Sequence, residues 1–158
     1  MDKIDYHLIS ILHENARMPL KQLAEKVFLS SPATAARLER LEKSGIISGY
    51  GVKVDHKMLG YPITAFINLE VQPAQKSVFY PFITAHPNVL ECNCVTGDYS
   101  MLIKVAFEST EALDVFIGQL QTFGRTQTQI VFSTAKEQSS VDLENIIAGN
   151  YPEVPEIK

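Results

Sequence analysis

The hydrophobic period of this 158-residue chain is helical throughout its front third and first becomes that of a strand after about residue 60, which divides the chain into two parts. Up to about residue 45, apolar residues recur every three or four positions, as they do on one face of an α-helix. From Ile63 to Val71 they alternate with polar residues, as in a strand buried on one face. The two periods together predict an α+β protein with a helical front and a mixed back.

Three helices are expected in the front part. Pro19 can open the second, Ser30 or Ser31 can cap the third, and Gly45 can end it in a left-handed conformation. The inward positions that the spacing predicts are Ile4, Leu8, Ile11 and Leu12, then Leu20, Leu23, Ala24 and Val27, then Thr34, Leu38 and Leu41.

The third helix leaves an unusual set of residues facing outward: Ser31, Ala33, Ala36, Arg37 and Arg40. Only a few residues separate it from the second helix, as in a helix-turn-helix, where the second helix of the pair enters the major groove of DNA. Small residues permit close approach, and arginines can reach phosphates or guanine edges. A solvated helix face has a similar charge pattern, so that interpretation stays open.

The stretch "GIISGYGVKVDHKMLG" has two short apolar runs around a Gly-rich turn. It predicts a small hairpin, or wing, that would bring Lys53, His56 and Lys57 near a DNA backbone. A solvated linker would have a similar composition.

The back part has the pattern strand, helix, strand, strand, helix, strand. The first helix is expected to bury Val78, Phe82 and Ile83, and the second begins at a cap formed by Ser109 or Thr110. This βαββαβ order predicts a ferredoxin-like sheet with helices on one side, so a second copy of the domain could cover the other face. We expect domains at residues 1–60 and 61–148, followed by a loose tail at 149–158.

Charge and composition narrow the class of protein. The formal net charge is −4 and is uneven, +2 over residues 1–60 and −6 over residues 61–158, which indicates two domains with different roles. No apolar run approaches the roughly 20 residues of a membrane span, and the first residues do not form a signal peptide. We therefore expect a cytoplasmic protein without a membrane partner.

Neither a metal site nor an active site is expected, and no cofactor is predicted. Cys92 and Cys94 lie two apart on a strand, with only His86 nearby as a further ligand, and two buried, reduced thiols are the simpler interpretation. The four histidines form no catalytic cluster.

Four stretches carry a resemblance to a known family: "IDYHLISILHENAR", "LAEKVFLSSPATAARLERLEKSGII", "VTGDYSMLIKV" and "GRTQTQIVFS". In this order and spacing the chain resembles the Lrp/AsnC family of transcription regulators over nearly its whole length. The resemblance implies a winged helix-turn-helix followed by a βαββαβ (RAM-type) domain. It also implies double-stranded DNA as a partner and a homodimer that assembles further, for example into an octamer.

The resemblance also implies an amino-acid effector bound between dimers. Carried over by motif, its site comprises Gly97, Asp98, Tyr99 and Ser100, with Thr126 and Thr128 as neighbours. Ser100 stands where the family often has Asp, so we expect a small neutral amino acid or none, and not lysine or arginine.

Two alternatives remain at this stage. Ala36 and Glu39 stand where the family often has basic residues, which favours a ligand-binding module with weak or lost DNA binding. The second alternative is a tetrapyrrole decarboxylase, because some of those enzymes look like this family.

Overall fold

The computed structural model describes residues 1–136 and 141–153. The helices and strands are α1 (Lys3–Glu14), α2 (Leu20–Lys26), α3 (Ser31–Lys43), β1 (Ile63–Val71), α4 (Lys76–Ala85), β2 (Val89–Cys94), β3 (Met101–Phe107), α5 (Thr110–Gln121), β4 (Gly124–Ile130) and α6 (Leu143–Ala148).

Two compact units contain these elements. One holds residues 1–53 with the described residues from Lys136 on, and the other holds residues 54–135. The grouping differs from the expected division at the end of the chain, because α6 contacts α1. The expected tail at 149–158 falls partly outside the described residues, with α6 ending at Gly149 in a left-handed conformation.

The helical unit forms largely as the sequence pattern predicts. The Ser30 hydroxyl accepts the Ala33 amide at 3.3 Å and caps α3, and Gly45 follows the helix at φ 74°. Leu8, Leu23 and Leu41 fill the space between the three helices. The inward position expected for Leu20 is wrong, since this side chain is 39% exposed at the start of α2.

The hairpin expected after α3 is absent: none of residues 46–60, all of which the structure describes, lies in a strand. Val52 is 87% exposed, and its neighbours pair with no other strand of this chain. A Gly-rich turn between two apolar runs forms a hairpin only where side chains can pack on one face. The lysines of this segment therefore lie on an irregular connection.

The sheet unit confirms the βαββαβ order. Its four antiparallel strands are arranged β2-β3-β1-β4, with β1 between β3 and β4. The helices cover one face, where Phe79 and Ile83 of α4 and Leu113 and Phe116 of α5 are buried. The alternating positions of β1 and β3 that face them are Ala65, Ile67, Leu69, Val71, Met101, Ile103, Val105 and Phe107.

Of the three inward residues predicted for α4, Phe82 and Ile83 are confirmed and Val78 is wrong. Val78 is 60% exposed, whereas Phe79 is fully buried and its ring lies 5.5 Å from that of Phe123. Phe79, Phe82 and Ile83 form the spacing i, i+3, i+4, and the aromatic ring removes more apolar surface from water than valine would.

The other face of the sheet carries mainly polar side chains. Its residues are Thr64, Asn68, Glu70, Glu91, Asn93, Lys104, Arg125, Gln127 and Gln129, with Phe66, Leu102 and Ala106 among them. The Lys104 ammonium lies 5.9 Å from the centre of the Phe66 ring. This face is therefore mainly polar, and it is not an apolar surface that a second copy of the domain would have to cover.

The pairing of β4 with β1 requires a glycine at position 124. The φ of Gly124 is 155°, and a Cβ at this position would lie 1.8 Å from the carbonyl oxygen of Glu70. The strand cannot move away without breaking its hydrogen bonds to β1, so the close approach requires glycine.

Substitution of Gly124 by alanine should lower the free energy of unfolding of the sheet unit by more than about 2 kcal/mol. Gly118 is the matched control, because it lies exposed in α5 with open space around it. Gly118→Ala should stabilise by about 0.5–1 kcal/mol, since alanine favours the helix. Urea unfolding followed by circular dichroism measures both changes, and equal effects of the two substitutions would contradict the packing argument.

Candidate nucleic-acid interface and ligand turn

The outward face of α3 is formed by small and charged residues. Ala33 and Ala36 are exposed, Ser31 is half-buried at the start of the helix, and Lys43 lies near its end. A shallow depression of about 380 Å³ is lined by Ala36, Glu39, Arg40, Lys43 and Ser44. No large side chain covers the first two turns, so another molecule can approach the helix backbone closely.

The carboxylate of Asp5 lies beside α3 and has no exposed surface. Asp2 and Asp5 form a capping box at the start of α1, in which the Asp2 amide donates to Asp5 Oδ2 and the Asp5 amide donates to Asp2 Oδ1, both at 3.0 Å. The carboxylates therefore satisfy the free amides of the first turn, and they add negative charge where the helix dipole favours it.

The two arginines of α3 both donate to these carboxylates. Arg37 Nη1 lies 2.7 Å from Asp2 Oδ2 and 2.8 Å from Asp5 Oδ1, and Arg40 Nη2 lies 2.6 Å from Asp5 Oδ2. The Arg37 side chain is 26% exposed and that of Arg40 is 59% exposed. Arg40 therefore reaches the surface as expected, whereas Arg37 is only partly exposed and is paired with the start of α1. A DNA contact of either residue stays a prediction.

The charges of this cluster stabilise one another. Hydrogen bonds to Asp2 and Asp5 raise the pKa of the Arg37 guanidinium, and the hydrogen bond from Arg37 lowers the pKa of Asp2. Burial alone would raise the pKa of Asp5, but the Asp2 amide and Arg37 outweigh it, and that pKa also lies below its usual value. These shifts favour the charged forms of Asp2, Asp5 and Arg37.

Asp2 and Asp5 were not among the expected site residues. The spacing Asp2-x-x-Asp5 before an apolar helix is a capping-box signal. Asp5 also lies on the same side of α1 as Leu8 and Leu12, where a carboxylate needs a cationic partner. Both signals are present in the sequence, but the partner Arg37 is 32 residues away.

The turn between β2 and β3 has the free polar groups expected of a ligand site. Gly97 has a φ of 111° with open space around it, which permits close approach of a ligand. Within the described part of the chain, the Asp98 carboxylate and the amides of residues 96–99 make no hydrogen bond. A carboxylate beside free amides can receive the two charged ends of an amino acid.

Tyr99 and Ser100 are held by the strands behind the turn. The Arg125 guanidinium lies 4.8 Å from the centre of the Tyr99 ring and 3.3 Å from Glu70. The Ser100 hydroxyl accepts the Val71 amide at 2.9 Å and lies 3.3 Å from the carbonyl of Leu69. Ser100 therefore fastens the turn to β1, so its hydroxyl is already bound.

Thr126 and Thr128 lie on the opposite face of the sheet from Arg125. They pair with Leu69 and Ile67, which are buried under the helices. The expected effector residues are therefore divided: the four turn residues lie together, and the two threonines point to the helix-covered side.

The cysteines do not form a buried pair, because Cys94 is exposed and only Cys92 is half-buried. Burial, with a smaller effect of Cys94, raises the pKa of the Cys92 thiol. Among the described residues, no group of three or more His, Cys, Asp or Glu side chains is placed to hold a metal ion. Over the same residues, no helix combines the length and apolar character required to cross a bilayer.

A three-helix unit with an exposed second helix of the pair, joined to an antiparallel sheet unit with an open turn, defines a class of DNA-binding proteins that carry a ligand-binding domain. Family models confirm both parts. Residues 1–48 match a winged helix-turn-helix DNA-binding domain, and residues 64–141 match the Lrp/AsnC ligand binding domain.

Individual relatives agree with this assignment. The chain is 36% identical over 135 residues to the uncharacterised HTH-type transcriptional regulator YezC of Bacillus subtilis, covering 85% of this chain and 96% of the relative. It is 32% identical over 133 residues to the regulator LrpC of the same organism, covering 84% and 92%. The chain belongs to the Lrp/AsnC family of HTH-type transcriptional regulators.

Solved structures have the same fold. The structure of B. subtilis LrpC matches with a TM-score of 0.84 at 31% identity, covering 87% of this chain and 99% of that one. A transcriptional regulator from Neisseria meningitidis, solved as a complex with L-methionine, matches with a TM-score of 0.85 at 26% identity, covering 92% and 99%.

Proposed function

We propose that this protein binds double-stranded DNA through α3 and changes its regulatory state when a small neutral amino acid binds at the turn formed by residues 97–100. The observation that carries the DNA-binding part is the exposed, small-residue face of α3. Ala33 and Ala36 permit the helix to enter a major groove, and Ser31 lies at its N-terminal end, where base contacts concentrate in a helix-turn-helix.

The charge of this surface favours moderate affinity. Arg40 and Lys43 are exposed on α3, but Glu39 is exposed beside them and pairs with Lys43 at 2.5 Å. Few phosphates are neutralised by such a face, and the sequence-independent part of the affinity grows with that number. Binding by two or more copies at once would compensate, because linked sites raise the effective concentration.

We propose a homodimer that assembles further, with effectors bound between dimers. Large apolar residues are exposed where the chain enters and leaves the sheet unit, notably Met58 at 83%, Leu59 at 62% and Phe132 at 96%. Such residues are commonly covered by another subunit. The polar sheet face does not oppose this, because interfaces outside their cores are as polar as other protein surfaces.

A neutral amino acid suits the turn better than a basic one. Asp98 provides one carboxylate for the amino group, and the free amides of residues 96–99 can receive the carboxylate. The Ser100 hydroxyl is already bound to β1 and offers no second anchor. The Neisseria relative in complex with L-methionine supports the same class of ligand, with methionine as the first candidate.

Regulation is favoured over the two alternatives. The relatives named above are transcriptional regulators, which supports a regulator over a decarboxylase, and the open face of α3 supports retained DNA binding. A DNA-binding regulator acts in the compartment that contains the DNA, so we propose a cytoplasmic location.

Ala36→Glu should weaken binding to a pool of random 30-base-pair duplexes by at least about tenfold, a free-energy change of about 1.4 kcal/mol. The new carboxylate would lie at the centre of the α3 face, opposite phosphates, and glutamate is a good helix former. Gln119→Glu adds the same charge to an exposed position of α5 and is the control. Equal affinities of the two variants in fluorescence anisotropy would show that DNA binds elsewhere.

Calorimetry with a panel of amino acids should find methionine or another neutral amino acid as the tightest ligand. Gly97→Val and Asp98→Ala should each weaken it by at least about tenfold, because they change the backbone of the turn and remove its free carboxylate. Thr96→Ser, a small change in the same turn, is the control. Unchanged binding in both variants would place the site elsewhere, and tightest binding of lysine or arginine would contradict the argument from Ser100.

A further inference from the structure

Arg37 and Arg40 lie three residues apart on one side of α3, but their guanidinium groups are held differently. Arg37 Nη1 is shared between two carboxylates, at 2.7 Å from Asp2 and 2.8 Å from Asp5. Arg40 donates through Nη2 alone, at 2.6 Å from Asp5. Arg37 is therefore paired with two carboxylates, and Arg40 is paired with one.

The surroundings of Arg37 remove it from an approaching phosphate. Its side chain is only 26% exposed, and its Nη1 donates to two carboxylates that a phosphate would have to displace at that nitrogen. Displacement would remove one of the two cations that compensate the fully buried Asp5 carboxylate, which is unfavourable. Arg37 therefore connects α3 to the first turn of α1.

Arg40 is more exposed than Arg37 and has a single carboxylate partner. Its side chain is 59% exposed, and its Nε and Nη1 donors make no hydrogen bond within the described residues. The bond to Asp5 already restricts the side chain, so less rotamer freedom is lost when the remaining donors bind a ligand.

The position of Arg40 on the helix indicates which part of DNA it meets. At 100° per residue, Ala36 and Lys43 lie opposite the buried Thr34 and Leu41, whereas Arg40 lies on the flank that faces α1. The centre of a helix in the major groove meets base edges, and residues on its flanks are positioned toward the sugar–phosphate backbone.

We infer that Asp5 is a positioning residue for DNA binding: its buried carboxylate orients Arg40 toward a backbone phosphate and, with Asp2, holds Arg37 away from the DNA. This inference rests on the proposed function. It assigns different roles to two arginines that the sequence pattern treats alike.

The test is the dependence of duplex affinity on salt, because each neutralised phosphate adds about 0.9 to the slope of log K against log salt concentration. Binding of a 30-base-pair random duplex is followed by fluorescence anisotropy from 50 to 200 mM KCl at pH 7. The temperature is one at which circular dichroism shows each variant folded.

Three variants have different expected slopes. Arg40→Ala should make the slope shallower by about 0.9 for each protomer that contacts the duplex, because one phosphate contact is lost. Arg37→Ala should leave the slope unchanged and lower the melting temperature. Asp5→Asn should make the slope steeper, because Arg37 then loses a carboxylate and becomes available to DNA, while the exposed Arg40 can still reach its phosphate and is only less well oriented. A purely structural role of Asp5 would lower stability without steepening the slope.

Lys76→Ala is the matched control, since it removes one exposed positive charge from α4 and should not change the slope. If Asp5→Asn does not fold, Asp2→Asn replaces it. Asparagine still caps the helix, but one carboxylate of Arg37 is gone, so the slope should again become steeper.

Three results overturn the inference. These are equal slope changes for Arg37→Ala and Arg40→Ala, an unchanged slope for Arg40→Ala, and a slope that does not steepen when Asp5 or its substitute Asp2 is changed. If the unaltered protein binds no duplex at any salt concentration, the proposed function itself fails.

Discussion

The buried carboxylate of Asp5 is the interaction on which the DNA-binding unit depends. It accepts one backbone amide of its own helix and two arginine donors from α3, and none of it contacts water. A buried charge is tolerated only when its partners are in place. The start of α1 and the middle of α3 therefore have one favoured arrangement, and that arrangement fixes the face of α3 that we propose binds DNA.

This constraint has a functional consequence. Charges that the sequence suggests for DNA binding are partly used within the protein, so α3 presents small residues and few free cations. Under the proposed function, DNA binding through such a face would depend on close fit and on simultaneous binding by several copies more than on charge. The sheet unit is consistent with that division, because it has an open turn for a ligand and exposed apolar residues at its entry and exit.

Local patterns were sufficient to predict most of the fold from the sequence. Alternation in β1 and β3, the Ser109 cap of α5 and the helical spacing around Leu8 and Leu41 depend on neighbouring residues, and the structure confirms them.

The errors concern features that depend on residues distant in the sequence. Phe79 is buried in place of Val78, because its ring packs with core residues from other elements, including Phe123. The hairpin predicted within residues 46–60 does not form, because the Gly-rich turn pattern does not show whether the flanking residues have a surface to pack against. The ion pairs of Arg37 were not predicted, because its partners Asp2 and Asp5 lie at the start of another helix. For the effector turn, the sequence located the loop, but the bond between Ser100 and Val71 and the direction of Thr126 depend on strand register.

The coupling energy between Asp5 and Arg37 tests the central role of the buried carboxylate most directly. It is measured with Asp5→Asn, Arg37→Met and the double variant, by urea unfolding followed through NMR signals of α3. The pKa of Asp5 is lower in the folded protein, so its contribution is complete above the unfolded value near 3.9 and is lost as the pH falls through the folded value. The coupling should be about 1–3 kcal/mol at pH 7 and should disappear in acid. Additive effects of the two substitutions at pH 7, or a coupling that persists once Asp5 is protonated, would contradict this account.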